Sequence, residues 1–294
     1  MIVTQESTGK IGRPRVYDGF CFFNELDLLR LRLETLWDEV DVFVLVESTY
    51  THAGKSKPLF YPKCDLGELA SKIRHVVVDP RIEDLSDFWV NENRQRNGIA
   101  RGLEDANESD WLMVSDVDEI PRPESIRNYN PEIFRRGAFE MVSFAYFLNN
   151  CSVQQSGRPV PWIGTKITTI KHLWGYFGSV HDVRIFKPKG PWRAIARKWL
   201  DLFSTQKIPH GGWHFSWMSG VEGIIKKLES FAHQEFNNDK FKNPKSIVKR
   251  IQLGEDVLDL GAKFRVIPVD ESFPTPLLRE RDRYKKMLAT VPAT

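Results

Sequence analysis

The stretch Trp111-Leu112-Met113-Val114-Ser115-Asp116-Val117-Asp118-Glu119-Ile120-Pro121 decides how this chain is read. Five residues of short apolar strand run directly into two acids that flank one valine, and Pro121 and Pro123 stop further extension. In an extended segment alternate side chains point the same way, so Asp116 and Asp118 face one side. Ligands of open α/β sheets sit beyond the carboxyl ends of the strands, which is where this pair falls. Two hard oxygen donors at that spacing suit Mg²⁺ or Mn²⁺ bridged to a diphosphate.

The sequence on either side supplies the sheet. Val16–Phe23 reads as a strand, Leu26–Trp37 as a helix with leucines at helical spacing, and Asp41–Glu47 as a fully buried strand. Ile73–Val78 is a further strand and Asp87–Ala106 a further helix. This strand–helix alternation predicts an α/β chain with a Rossmann-like, mostly parallel sheet and helices on both faces. From about Gly137 the texture changes. Phe139–Leu148, Trp162–Thr169, Val180–Lys187 and Phe264–Pro268 read as strands; Val221–Gln234, Lys245–Leu258 and Leu278–Leu288 read as helices. The expected organisation is a flexible tail over 1–15, a nucleotide-binding half over 16–136, and an acceptor-side half of the same domain over 137–294 that ends in helices.

Composition excludes several classes. With 42 basic and 39 acidic side chains the net charge of +3 is too even for nucleic-acid binding by bulk electrostatics. Cys21, Cys64 and Cys151 are odd in number and widely spaced, which argues against a disulfide framework or zinc site and for a reducing compartment. Met1–Arg15 has no apolar run of signal-peptide type, and no window approaches the ~20 apolar residues that span a bilayer. A soluble, cytoplasmic protein is therefore expected. The basic stretch Arg279–Lys286 reads as a solvated helix face, with peripheral contact to an anionic membrane as its alternative. Nine tryptophans are on the rich side; Trp162, Trp174, Trp213 and Trp217 are candidate surfaces for stacking a sugar ring, with core packing as the alternative for each.

Several blocks in order resemble glycosyltransferase family 17, the group of β-1,4-N-acetylglucosaminyltransferases. They are Phe22-Phe-Asn-Glu-Leu-Asp-Leu-Leu29, Asp41–Ser48 with Thr51–Pro58, Glu92–Asn97, Ser115–Pro121, and Gly212-Trp-His-Phe-Ser-Trp217 with Glu222-Gly-Ile224. Together they run from Phe20 to Phe231. The resemblance implies a GT-A type fold with an acceptor-side lobe, UDP-N-acetylglucosamine as donor, Mn²⁺ or Mg²⁺ as cofactor, and inversion at the anomeric carbon. A cytoplasmic enzyme would not meet an N-glycan, so a polysaccharide, glycolipid or small glycan is the acceptor expected.

Within that frame Asp118 is the direct metal ligand, with Asp116 holding the metal through water or binding the ribose. His214 is the third ligand, and Gly211-Gly212 would let its backbone approach a phosphate. Its alternative is a buried histidine between Trp213 and Trp217. Arg94 and Arg96 are candidates for the diphosphate, of which at most one can point inward, because residues two apart do not share a helix face. Asn97 is a candidate for the base or sugar and Glu47 for the nucleoside. Asn24 serves either as the cap of the first helix or as a nucleotide-side contact. An inverting transfer needs a general base, for which Glu222, Asp182 and Glu119 are the candidates. Two other classes compete: a metal-dependent phosphohydrolase using Asp116 and Asp118, and a non-catalytic glycan-binding protein that kept the fold.

Overall fold

The structure is a computed structural model that describes residues 12–79, 87–154, 156–187 and 196–291. Strands alternate with helical segments through its first half. Strand β1 (Val16–Cys21) leads into helix α1 (Leu26–Leu36), and β2 (Val42–Ser48) is followed by β3 (Ile73–Val78), with only short 3-10 turns between them. Helix α2 (Phe88–Asn97) then precedes β4 (Trp111–Asp116). These four strands form a parallel sheet in the order β3-β2-β1-β4. Along β2, Phe43 and Leu45 pack into the cluster beneath α1, while Val44 and Val46 face Ile99 and Leu103 on the other side. All four β2 side chains are fully buried, at roughly 1.5–3 kcal/mol each for burial of a large apolar side chain. A strand covered on both faces reads as an unbroken apolar run, which is why β2 was legible.

The short strand β5 (Glu119–Pro121) follows the acidic loop, and then the second half widens the sheet. The added strands are β6 (Arg136–Ala145), β7 (Asn150–Val153), β8 (Pro161–Thr169), β9 (Thr205–Ser216) and β10 (Lys263–Val266). Strand β8 runs antiparallel to β4 and β6, and β9 runs parallel to β6 and antiparallel to β5. One sheet therefore passes through both halves of the chain, and the architecture is α/β, as expected.

Four expectations are corrected. Val180–Lys187 is not a strand; Val180–Ile185 is a helix. The Ser179 side chain accepts the Asp182 N–H at 3.1 Å, and this Ser-x-x-Asp cap outweighs the β-branched residues that suggested extension. The twelve-residue β9 was read only as an aromatic motif, because Pro209 and the Gly211-Gly212 pair hid its period. Leu278–Leu288 is not one helix but short turns, Thr275–Arg279 and Arg281–Tyr284, broken at Glu280. The tail is anchored before residue 16: Arg13 pairs with Asp41 at 3.0 Å and Arg15 with Asp110 at 3.1 Å. Residues 1–11 of that tail lie outside the described residues.

Candidate active site

The acidic loop is held from behind by Arg32, on the inward face of α1 and fully buried. Its guanidinium meets Asp18 with two bonds of 2.7 and 2.6 Å, and also donates to Ser115 Oγ at 2.6 Å and to the Glu119 carbonyl at 2.6 Å. A longer bond of 3.2 Å reaches the Asp116 carbonyl. An Arg–Asp pair with no access to water persists only when its remaining donors are also satisfied, as they are here. The loop between β4 and β5 is thus fixed by a helix that precedes it by some eighty residues.

The register of β5 on β9 brings the next residue in. Glu119 lies opposite His214, and the Phe215 N–H donates to the Asp118 carbonyl at 2.8 Å. Gly212, at φ +145°, is demanded by this crossing, since a Cβ there would come within 2.2 Å of the Ile120 carbonyl. The glycines serve strand packing, not approach to a phosphate. His214 stacks on Trp162, with ring centroids 4.4 Å apart and planes at 19°, rather than between Trp213 and Trp217.

Each acid has its own partners. Asp116 pairs with Arg96 at 2.9 Å and lies 3.5 Å from Arg184. Its sunken position favours the neutral acid, but the two guanidiniums override this and hold the carboxyl well below the usual range. Asp118 has Lys227 Nζ at 3.5 Å and His214 Nε2 at 3.9 Å. Burial disfavours the Lys227 charge, yet Asp118 outweighs it and raises the ammonium above its ordinary value. Glu119 is almost wholly buried and takes two bonds from Arg184, at 2.7 and 2.6 Å, and one from Trp162 Nε1 at 2.8 Å. Burial would raise its carboxyl, but Arg184 holds it below normal.

These residues floor a cleft of about 400 Å³ whose aromatic walls include Phe23, Tyr50, Trp89, Trp162, Trp217 and Phe231. Its dimensions suit a ligand of nucleotide size.

The structure brings Asp116, Asp118, His214 and Arg96 together on that cleft. Arg94 and Arg96 do diverge: Arg96 is buried against Asp116, and Arg94 turns to Asn91 at 3.4 Å. Six placements are corrected. Glu47 is sealed in the core, where it accepts the Phe60 and Tyr61 N–H groups and meets His75 at 3.3 Å; it fastens a turn to β2 and faces no nucleoside. Asn97 accepts the His181 N–H at 2.9 Å, so it joins α2 to the helix Val180–Ile185 and does not reach the cleft. Asn24 neither caps α1 nor lines the cleft, and its N–H is taken by the Glu25 carboxylate at 3.0 Å. Glu222 is exposed in the first turn of the helix Gly220–Ser230, away from the cleft. Asp182 is a first-turn acid behind the Ser179 cap, and it too is off the cleft. Glu119 reaches the cleft with its carboxylate fully engaged, a poor arrangement for taking a proton. Besides Asp116, Asp118 and Glu119, the carboxylates that line the cleft are Glu25 and Glu92. Of the tryptophans, Trp162 and Trp217 line the cleft; Trp213 is buried beneath Arg122, and Trp174 lies elsewhere.

Three functional residues escaped the sequence reading. Arg32 had a signal, a lone arginine at the i+3 position between Leu29 and Leu33 on the apolar face of a helix. Arg184 was hidden by the mistaken strand. Lys227 lies five residues beyond Glu222 and gave no signal of its own.

The site residues fit a hard divalent cation in type. Among the described residues no three His, Cys, Asp or Glu side chains already enclose a common point. Asp118 and His214, however, stand 3.9 Å apart, within the span of two donors each roughly 2.1 Å from one ion. Asp116 keeps 42% of its side chain open to the cleft.

The model of glycosyltransferase family 17 matches residues 5–146, which include both aspartates. The match spans just under half of this chain. The β-1,4-mannosyl-glycoprotein 4-β-N-acetylglucosaminyltransferases of Rattus norvegicus and Homo sapiens are each 27% identical to this chain over 241 residues, 76% of its length. The match covers 44% of each relative, so the chain spans less than half of their length. Among solved structures, glucosyl-3-phosphoglycerate synthase from Mycobacterium tuberculosis in complex with Mn²⁺, UDP and phosphoglyceric acid is 13% identical, with a TM-score of 0.38 over 90% of this chain and 92% of that one. Galactosyltransferase LgtC in complex with donor and acceptor sugar analogs is 10% identical, with a TM-score of 0.34 over 95% of this chain and 97% of that one. At such scores neither likeness bears on the site.

Proposed function

We propose that this chain is a family 17 enzyme, a metal-dependent, inverting glycosyltransferase that moves N-acetylglucosamine from UDP-N-acetylglucosamine to a hydroxyl of a glycan or glycolipid. The observation that carries the reading is the meeting of Asp118 and His214, 3.9 Å apart, at the carboxyl end of a parallel strand and on an aromatic cleft. Asp118 and His214 would hold Mn²⁺ or Mg²⁺, with Asp116 beside them. The ion would neutralise the diphosphate and stabilise the departing nucleotide. Lys227, freed from Asp118, is within reach of the same anionic groups. Arg96 and Arg184 keep Asp116 ionised and fixed in place. Trp162 and Trp217 offer flat apolar faces on which an acceptor sugar can stack.

A phosphohydrolase with Asp116 as nucleophile fits less well. A carboxylate held by two guanidiniums is stabilised as the anion and is correspondingly weak as a nucleophile.

Calorimetric titration of UDP tests the proposal. Binding should require Mn²⁺ and fall at least about tenfold in EDTA, and Asp118→Asn should abolish transfer with little change in melting temperature. Equal affinity in EDTA, or normal transfer by Asp118→Asn, would overturn the metal assignment.

A further inference from the structure

The helix Arg197–Ser204 presents an apolar face to solvent. Trp199, Leu202 and Phe203 are 68%, 62% and 70% exposed, at the i, i+3 and i+4 positions of one face. The Trp199 and Phe203 rings stack on each other at 6.4 Å and 11°, so they form a preset surface. Ile185, 38% exposed, adjoins it, because Arg197 donates to the carbonyls of Ile185 and Phe186.

The opposite face is committed. Leu200 packs into the core cluster under β2, Asp201 pairs with Arg136 at 2.9 Å, and the Ser204 carbonyl accepts the Arg135 N–H. The outward face is therefore not a misoriented core face. Large apolar side chains standing together on a surface mark a site of interaction.

Charge identifies the occupant. Arg197, Lys198, Lys207 and Arg135 are all exposed around this helix, whereas its own acid, Asp201, is half-exposed but paired with the buried Arg136. An apolar face of tryptophan, leucine and phenylalanine rimmed by basic side chains is the pattern of a helix lying in a membrane interface. We propose that the helix Arg197–Ser204 docks this protein on an anionic phospholipid surface, with Trp199, Leu202 and Phe203 inserted and the basic rim on the headgroups. The docking site differs from the Arg279–Lys286 stretch suggested by sequence, which exposes charge but no comparable apolar face.

The test is co-sedimentation of the full chain with vesicles of phosphatidylcholine alone or with about one-third phosphatidylglycerol. The protein should bind the anionic vesicles, and bind them less well in high salt or without phosphatidylglycerol. Leu202→Ser with Phe203→Ser should lower partitioning by at least ~10-fold with an unchanged melting temperature. Should that pair disturb folding, Trp199→Ser carries the same expectation. Absence of wild-type binding, or equal binding by these variants, would overturn the proposal. So would a dimer in sedimentation velocity that the variants abolish, since the face would then join two copies of the chain.

Discussion

Removing Arg184 should damage stability and the site together, in a pH-dependent way that a packing defect would not reproduce. Its guanidinium makes two short bonds to Glu119, one of 2.9 Å to the Gly164 carbonyl, and a 3.5 Å contact with Asp116. In Arg184→Met the apolar stem is replaced and the charge is lost, leaving Glu119 buried with Trp162 Nε1 as its remaining side-chain donor. Breaking a buried pair from one side costs about 3–5 kcal/mol. The wild-type carboxyl is held below its ordinary value, so its contribution is present above about pH 4.3 and lost as pH falls through the folded value. In the variant burial alone acts, the folded value rises above the unfolded one, and the folded state takes up a proton on acidification. The deficit should therefore be largest at neutral pH and shrink towards acid. Urea unfolding of wild type, Arg184→Met, Glu119→Gln and the double variant gives the coupling energy directly. A deficit below about 1 kcal/mol, unchanged by acidification, would refute the assignment of Arg184 as the counterion of Glu119.

Two further outcomes follow from the same surroundings. Burial pushes the Lys166 ammonium down to about 7, so the unfolded chain binds a proton that the folded one lacks between about pH 7 and pH 10. Stability should rise with pH across that window, and Lys166→Met should flatten the slope in urea melts. Trp162 both donates to Glu119 and stacks on His214; Trp162→Ala should raise the acceptor KM about 2–10-fold, the worth of an aromatic stack, and Trp162→Phe should raise it less in steady-state kinetics.

What the sequence made legible was whatever depends on local pattern. The buried β2, the alternation to β4, and the acids at its end all follow from periods of two and 3.6 residues. The Asp118–His214 meeting also came through, although the residue spacing could not supply the strand pairing that creates it. What was missed depends on registers and on side chains that cross the fold. Glu47 and Asn97 carry the right chemistry for a ligand but meet the protein instead, because a turn at Phe60 and a helix at His181 arrive from elsewhere. Arg184 needed the correct reading of Val180–Ile185, since a strand would have sent its side chain in another direction. The three base candidates were chosen by type and order along the chain, and neither property reports whether a carboxylate is free.

The charge on the cleft gives an independent reason to expect a metal. Its walls carry five carboxylates, Glu25, Glu92, Asp116, Asp118 and Glu119, against three cations, Lys57, Arg96 and Lys227. Three cations do not balance five anions, and Arg184 behind the wall is taken up by Glu119. His52 does not make up the difference, since burial lowers its pKa and keeps it neutral. A diphosphate entering this cleft would meet surplus negative charge on a floor whose cations are already paired. Favourable binding then requires either added positive charge or release of a cation from its acid. A divalent ion on Asp118 and His214 would do both, because it would occupy the carboxylate and free Lys227 towards the phosphates. A chain that bound UDP tightly without metal would have to separate Lys227 from Asp118 with nothing in its place.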